Sequence, residues 1–200
     1  METNREQLEQ RYATGNVPWD APLPPPEVQE LVAVTPPGRA LDLGCGYGRS
    51  AIYLTQHGWQ VDAIDFVEVA VKEARRRARA AGVTVAWHHH SVTDLSFLEP
   101  PYELALDIGC GHNLGPDGWQ AYYAELRRLL RPGGLFLLFS RLAVPHGAET
   151  SETGPDGLDK TAFLRLFADG FHAERVDEGE TVMPDASWRS AWFWMRRKGD

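Results

Sequence analysis

The sequence predicts an α/β protein: a single Rossmann-like, seven-stranded sheet of five parallel strands plus a C-terminal strand pair, with helices on both faces. Three observations predict it. Strand-like and helix-like patterns alternate from residue 39 onward, glycine or proline ends each helix pattern, and a glycine-rich turn joins the first strand to its helix. Two hundred residues suffice for one such fold and are few for a catalytic domain joined to a separate recognition domain.

Taken in order, residues 3–13 are polar and helix-compatible and lead through Gly15-Asn16-Val17-Pro18-Trp19-Asp20 into the prolines from Pro22 to Pro26, which reads as an arm. Pro26 can open a short helix through Val34, and Pro36-Pro37-Gly38 breaks it. Strands are expected near 39–43, 60–64, 83–88, 102–108 and 135–140. Helices are expected near 49–57, 67–81, 117–130 and 159–168, stopped by Gly58, Gly82, Pro132-Gly133-Gly134 and Gly170. Two last strands, 171–178 and 188–196, are joined by a turn at Pro184-Asp185. The organisation expected is an N-terminal arm with the first helices over 1–38 and the main domain over 39–200. The stretch 145–157 has no apolar periodicity and reads as either a lid or a disordered loop.

Composition narrows the partners. A formal charge of −8 argues against nucleic acid, whose affinity rests on neutralising phosphates, and the run Arg75-Arg76-Arg77 with Arg79 reads as a solvated helix face. No apolar run approaches the ~20 residues that span a bilayer. The polar start lacks the order of a secretion signal, so a cytoplasmic protein without membrane contact is expected, as monomer or homodimer. Cys45 and Cys110 are too few for a disulfide framework and lack zinc spacing. Consecutive strand residues face opposite ways, so His88-His89-His90 cannot all hold one ion, and no metal is expected.

The chemistry concentrates in Leu41-Asp42-Leu43-Gly44-Cys45-Gly46-Tyr47-Gly48-Arg49, a strand that enters three alternating glycines and then a helix. Glycines there let the backbone pass close under a ligand and turn helix-terminal N–H groups towards it. Arg49 stands where a dinucleotide fingerprint needs a small residue, which disfavours an oxidoreductase. Twenty-one residues past Gly44, Asp65 ends the second strand, where a carboxylate can accept both hydroxyls of a ribose. It is a better candidate than Asp62, and an N-cap role for the helix at 67–81 is compatible with it.

The run from Ala40 to Ala80 resembles motif I and the acidic motif that follows it in class I S-adenosylmethionine-dependent methyltransferases. Tyr123-Ala124-Glu125-Leu126-Arg127-Arg128-Leu129-Leu130-Arg131-Pro132-Gly133-Gly134 with the following LFLLFS resembles that family's helix, turn and fifth strand. The resemblance implies S-adenosylmethionine as cofactor and S-adenosylhomocysteine as product. It implies Gly44, Cys45, Gly46 and Gly48 along the methionine part, Asp42 near its amino group, Asp65 and Phe66 at ribose and adenine, and Ser91 and Val92 along the adenine, with Arg49 a further cofactor-binding candidate. Many members carry an acid at the position of Ser91, and Asp94 is a possible substitute.

The same resemblance places Asp107, Ile108 and Gly109, at the fourth strand's end, against the cofactor's methyl group, with His112 the candidate catalytic residue. His112 reads equally as a general base with an ordinary pKa near 6.5, as a group that orients the substrate, or as a loop histidine bonded to backbone. The element Gly-x-x-Pro-Trp-Asp at 15–20 resembles the thiopurine, halide/thiol and tellurite branch, whose arm covers the cofactor with a tryptophan, here Trp19. The expectation is methyl transfer to a small molecule, with a thiol or another soft nucleophile first. Transfer to an oxygen or nitrogen of a metabolite and a non-catalytic binding module are the alternatives.

Overall fold

The computed structural model describes residues 4–143, 157–183 and 186–199. The expected lid, Gly157 apart, and the turn at Pro184-Asp185 lie outside the described residues. Its strands are β1 (Arg39–Leu43), β2 (Gln60–Asp65), β3 (Ala86–His89), β4 (Tyr102–Ile108), β5 (Leu130–Arg141), β6 (Phe171–Met183) and β7 (Ala186–Arg197), in one sheet of order β3-β2-β1-β4-β5-β7-β6. Its helices are α1 (Asn4–Thr14), α2 (Pro26–Val34), α3 (Arg49–Gln56), α4 (Glu68–Ala80), α5 (Pro116–Leu129) and α6 (Lys160–Phe167). The chain forms two compact units, Met1–Leu95 and Ser96–Asp200.

In the first unit β1 pairs parallel with β2, Leu43 opposite Ile64, and β2 pairs parallel with β3. Ala40, Leu41, Leu43, Ala63 and Ile64 are buried in succession, the mark of strands covered on both faces. Helix α4 turns Ala70, Val71, Ala74 and Ala78 inward at three- and four-residue spacing and keeps Arg75, Arg76 and Arg79 outside. Each Leu or Ile so buried contributes about 1.5–3 kcal/mol.

In the second unit β4 pairs parallel with β5, Ile108 opposite Phe139, and β7 runs antiparallel to both β5 and β6. Its core is aromatic: Trp119, Tyr122, Phe136, Phe163, Phe167, Phe171 and Phe193 are all buried. Most meet edge-on or tilted, at centroid distances such as 5.3 Å for Trp119–Phe163 and 4.4 Å for Phe163–Phe167, and Phe136 stacks on Phe167 at 5.8 Å, about the range in which ring quadrupoles attract. Asp159 caps α6 by accepting the Ala162 N–H at 3.0 Å.

Three boundaries depart from expectation by three residues or more, one being the end of β6, at Met183 where 178 was expected. Strand β5 starts at Leu130, because Pro132-Gly133-Gly134 forms an irregularity inside the strand, between the pairs Tyr102–Leu130 and Leu104–Leu135. Gly133 takes φ +75°, and a side chain on Gly134 would meet the Arg131 carbonyl at 2.9 Å, so the glycines bulge the strand where a plain turn was expected. Strand β3 starts at Ala86, leaving 83–85 without regular structure.

Gly48 bears the tightest approach in the first unit. It sits at φ +82°, and a Cβ there would lie 2.4 Å from Trp87 Cη2 and 3.1 Å from Ala74 Cβ. Gly48→Ala is therefore expected to destabilise the fold by about 2–4 kcal/mol, from the left-handed backbone and the overpacking together. Denaturant unfolding checks this, and a loss under about 0.5 kcal/mol would contradict the packing described.

Candidate active site

In the first unit the glycine turn hangs on the end of β2. The N–H groups of Gly44 and Cys45 both donate to Ile64 O, at 2.8 and 2.9 Å. Asp65, only 4% exposed, accepts from Gly46 N at 2.9 Å through one oxygen and from Val67 N at 2.8 Å through the other. Burial pushes its pKa up, against the pull of these backbone bonds. Asp42, also buried, accepts from Ala51 N at 3.0 Å in the first turn of α3, where the helix dipole favours a negative charge. Gly44, Gly46 and Gly48 all take positive φ, a course that side chains rarely follow.

Over this turn lies the arm. Tyr12, buried on α1, puts its hydroxyl against Gly46, where a Cβ would be 2.8 Å from the Tyr12 oxygen. Trp19 Nε1 donates to that hydroxyl at 3.2 Å, and the Tyr47 hydroxyl donates to Tyr12 O at 3.2 Å. Val17, Tyr47 and Phe66 pack on the cluster of Tyr12, Val67 and Ala70. Arg77 holds Asp20 with two hydrogen bonds of 2.9 and 2.8 Å and lies 4.5 Å from the Tyr47 ring centroid. Arg49, half-buried at the start of α3, has its pKa lowered by burial, with Asp42, Asp20 and Tyr12 opposing.

Of the expected residues the structure thus brings Asp42, Gly44, Cys45, Gly46, Gly48, Asp65 and Phe66 around one turn, and it places Trp19 on Tyr12 with 40% of its surface exposed. Val92 is buried, while Ser91 is exposed and bonded to Thr93 Oγ1 at 2.7 Å. The three adjacent histidines go separate ways: His88 meets Asp62 Oδ1 at 2.8 Å and His89 meets Phe66 O at 2.9 Å. Tyr12 was not singled out by the sequence reading. The available signal was a lone aromatic in a polar helix, seven residues before Trp19.

In the second unit Asp107 is fully buried and works inward. It accepts from Cys110 N at 2.7 Å, from Gly111 N at 2.9 Å and from the Tyr122 hydroxyl at 2.9 Å, and burial raises its pKa to about 6 against these bonds. Trp119 lies so close to Gly111 that a Cβ would meet it at 2.5 Å. The turn so built presents Gly109, at φ +85°, and His112. The ordinary imidazole value expected for His112 is corrected here: burial first, and the Arg141 charge second, lower its pKa to about 4. Its Nδ1 is buried and has no hydrogen-bond partner among the described residues.

With this geometry in hand, residues 40–134 match the family model described as a methyltransferase domain. Glycine/sarcosine/dimethylglycine N-methyltransferase of Actinopolyspora halophila is 32% identical over 149 residues, 72% of this chain and 26% of that protein. The chain spans half the length or less of several curated relatives it matches. A structure described by the conversion of a disulfide bond into a thioacetal group during echinomycin biosynthesis superposes with a TM-score of 0.75 at 26% identity, over 91% of this chain and 84% of that one. The 1,6-didemethyltoxoflavin-N1-methyltransferase of Burkholderia thailandensis, solved with its substrate and S-adenosylhomocysteine, gives 0.75 at 24% identity over 98% and 87%. The chain shares the fold of these structures.

The two buried titrating groups of the second unit oppose one another. His112 is depressed from its usual 6.5, so it contributes stability above that value that is lost as pH falls towards about 4. Asp107 is raised from 3.8, so its contribution is present below that value and is lost as pH rises through about 6. In His112→Asn only the Asp107 term remains. The stability of the wild type relative to this variant is expected to fall by about 2–3 kcal/mol between pH 7 and pH 4. A difference independent of pH in denaturant titrations would refute the burial of a neutral imidazole.

Proposed function

We propose that the chain is a class I S-adenosylmethionine-dependent methyltransferase acting on a small molecule, with S-adenosylhomocysteine as product. The observation that carries this reading is the cradle at Gly46: a backbone kept free of side chains, floored by the buried Asp65 carboxylate and faced by the Tyr12 hydroxyl. These residues fit the cofactor. When bound, it supplies a methyl group already activated on a sulfonium.

The chain's own residues then have distinct tasks. The open backbone of Gly44, Cys45, Gly46 and Gly48 passes along the methionine part, with Asp42 and Arg49 as its charged neighbours. A carboxylate has about four lone-pair sites, so Asp65 can keep its two amide bonds and still accept ribose hydroxyls, with Phe66, Ser91 and Val92 along the adenine. Trp19 covers the cofactor by way of Tyr12. Asp107 acts by shaping the turn after β4, while Ile108 and Gly109 contribute backbone. His112, neutral above about pH 4, orients the acceptor or takes up its proton. Alignment and exclusion of water are what such a transfer asks of the protein.

For the acceptor we favour a soft nucleophile, a thiol first. The arm at 15–20 resembles the thiopurine, halide/thiol and tellurite branch. A neighbour of similar fold works on a disulfide and a thioacetal, both sulfur groups. Relatives named for nitrogen methylation mean that the domain match alone does not choose the atom. The charge of −8 supports a reading without nucleic acid, and our reading has the chain as a cytoplasmic monomer or homodimer. Among the described residues no helix is long and apolar enough to cross a membrane.

Two measurements test the reading. Asp65→Asn keeps the side chain's shape and is expected to weaken S-adenosylmethionine binding about tenfold, ~1.4 kcal/mol; unchanged affinity by calorimetry in a folded variant would remove Asp65 from the site. A panel of thiols, halides, phenols and amines is to be followed by S-adenosylhomocysteine release between roughly pH 6 and 9. With thiols the rate is expected to rise with the acceptor's own ionisation and to show no inflection near 6.5, because His112 is already neutral. Turnover confined to amines or phenols would refute the soft-nucleophile assignment and leave the methyltransferase assignment standing.

A further inference from the structure

Arg141 closes β5 as a half-buried guanidinium with no hydrogen bond or ion pair among the described residues, and its nearest named company is the Trp188 ring, whose centroid is 5.7 Å from Cζ. The other half-buried cations of the second unit are engaged. Lys160 meets Glu178, Arg196 meets Glu174 at 3.0 and 2.8 Å and Gly133 O at 3.1 Å, and Arg197 meets Arg127 O at 2.8 Å. Withdrawing a charge from water without a counter-charge is costly. The chain has 28 acidic against 20 basic residues, yet none of the described carboxylates meets this half-buried cation, which suits it to an anionic ligand.

A second unmet group stands beside it. His112 Nδ1 is buried without a partner, and the Arg141 charge reaches this ring strongly enough to oppose its protonation. The pairing explains the proximity. Gly109 N donates to Phe139 O at 3.0 Å, two residues before Arg141, so the turn bearing His112 leaves β4 beside the end of β5. Arg141 in turn pairs with Ser190 on β7, two residues from Trp188. Gly109 allows the imidazole to lie back over it, with His112 Cε1 3.4 Å from where a Cβ would be. An unmatched guanidinium, an unmatched ring nitrogen and an indole face thus share one group of strand ends.

We propose that Arg141, His112 Nδ1 and the Trp188 ring form an anchoring subsite for a carboxylate, and that the methyl acceptor is a small planar acid. Arg141 offers paired N–H donors in the fork that a carboxylate matches, His112 in its Nδ1–H tautomer donates one more bond, and the indole covers the acceptor's flat face. This names the substrate class for the methyltransferase proposed above and rests on that reading only in calling the ligand an acceptor.

The test compares 4-mercaptobenzoate with its neutral amide, 4-mercaptobenzamide, in calorimetric titrations of the full chain with and without S-adenosylhomocysteine, beside a titration with S-adenosylmethionine. The acid is expected to bind about tenfold tighter than the amide to the wild type, a preference that Arg141→Gln abolishes and Arg141→Lys retains in part. Arg141→Gln should melt close to the wild type, since no bond is lost. In the release assay it should raise KM for the acid about tenfold with little change in kcat. Equal binding of acid and amide, no binding of either, or an acid preference that survives Arg141→Gln overturns the proposal. An acid preference that depends on Arg141 in a chain that fails to bind S-adenosylmethionine supports the subsite and overturns the methyltransferase reading.

Discussion

The Asp65 carboxylate is where the first unit is tied together. Leaving an ionised carboxylate in a dry interior is prohibitive, and Asp65 offsets part of that cost by accepting two backbone N–H groups, from Gly46 and Val67. These bonds make the glycine turn after β1 and the entry to α4 parts of one structure, although Gly46 and Val67 lie twenty-one residues apart. The same arrangement sets the path of the backbone at Gly46, and that path is the surface on which Tyr12 rests. A loss at Asp65 would therefore reach the cradle and the arm together.

The arm's hold on this surface comes from several sources of different weight. Surface ion pairs are worth little, about 0–1 kcal/mol, and Glu68–Lys72, exposed on α4, belongs to that class. Arg77–Asp20 is stronger, because it is bidentate, half-buried and extended by Glu73 and by the Tyr47 ring. The burial of Tyr12 against Tyr47 at 5.2 Å and Trp19 at 6.0 Å adds apolar area and edge-to-face attraction of about 0.5–1.5 kcal/mol per pair. The aromatic cluster seats the arm over the turn, and the ion pair sets where the chain leaves it. The Tyr12 hydroxyl thereby lies against Gly46 while it accepts from Trp19 Nε1.

Much of this was legible in the sequence, for reasons that differ by element. The first turn could be read closely because three alternating glycines admit few backbone paths, and all three sit at positive φ. Pro26 and the break at Pro36-Pro37-Gly38 delimit α2 because proline constrains its own φ and the residue before it. The segment at Pro132-Gly133-Gly134 misled for the opposite reason: the residues of a turn are also those of a bulge, and only the pairing of Tyr102 with Leu130 shows that the strand had already begun. The candidates near the site fared according to how far their behaviour depends on neighbours. Asp65 is placed by its position at a strand end, whereas the depressed pKa of His112 follows from burial and from Arg141, twenty-nine residues away, and no local pattern carries it.

The second unit divides two requirements that a single residue could not meet. In the proposed function a group that takes a proton from an acceptor must be unprotonated at working pH, and burial would suit His112 to that task, at the cost of offering no charge. A group that holds an anion must keep its charge when half-buried, and a guanidinium does so where an imidazole or an ammonium would yield its proton. Asp107 serves neither role directly. By taking the N–H groups of Cys110 and Gly111 and the Tyr122 hydroxyl, it anchors the turn that carries His112 to the aromatic core. The imidazole therefore rests on a buried carboxylate through two backbone bonds, so its position depends on residues that never need to meet a ligand.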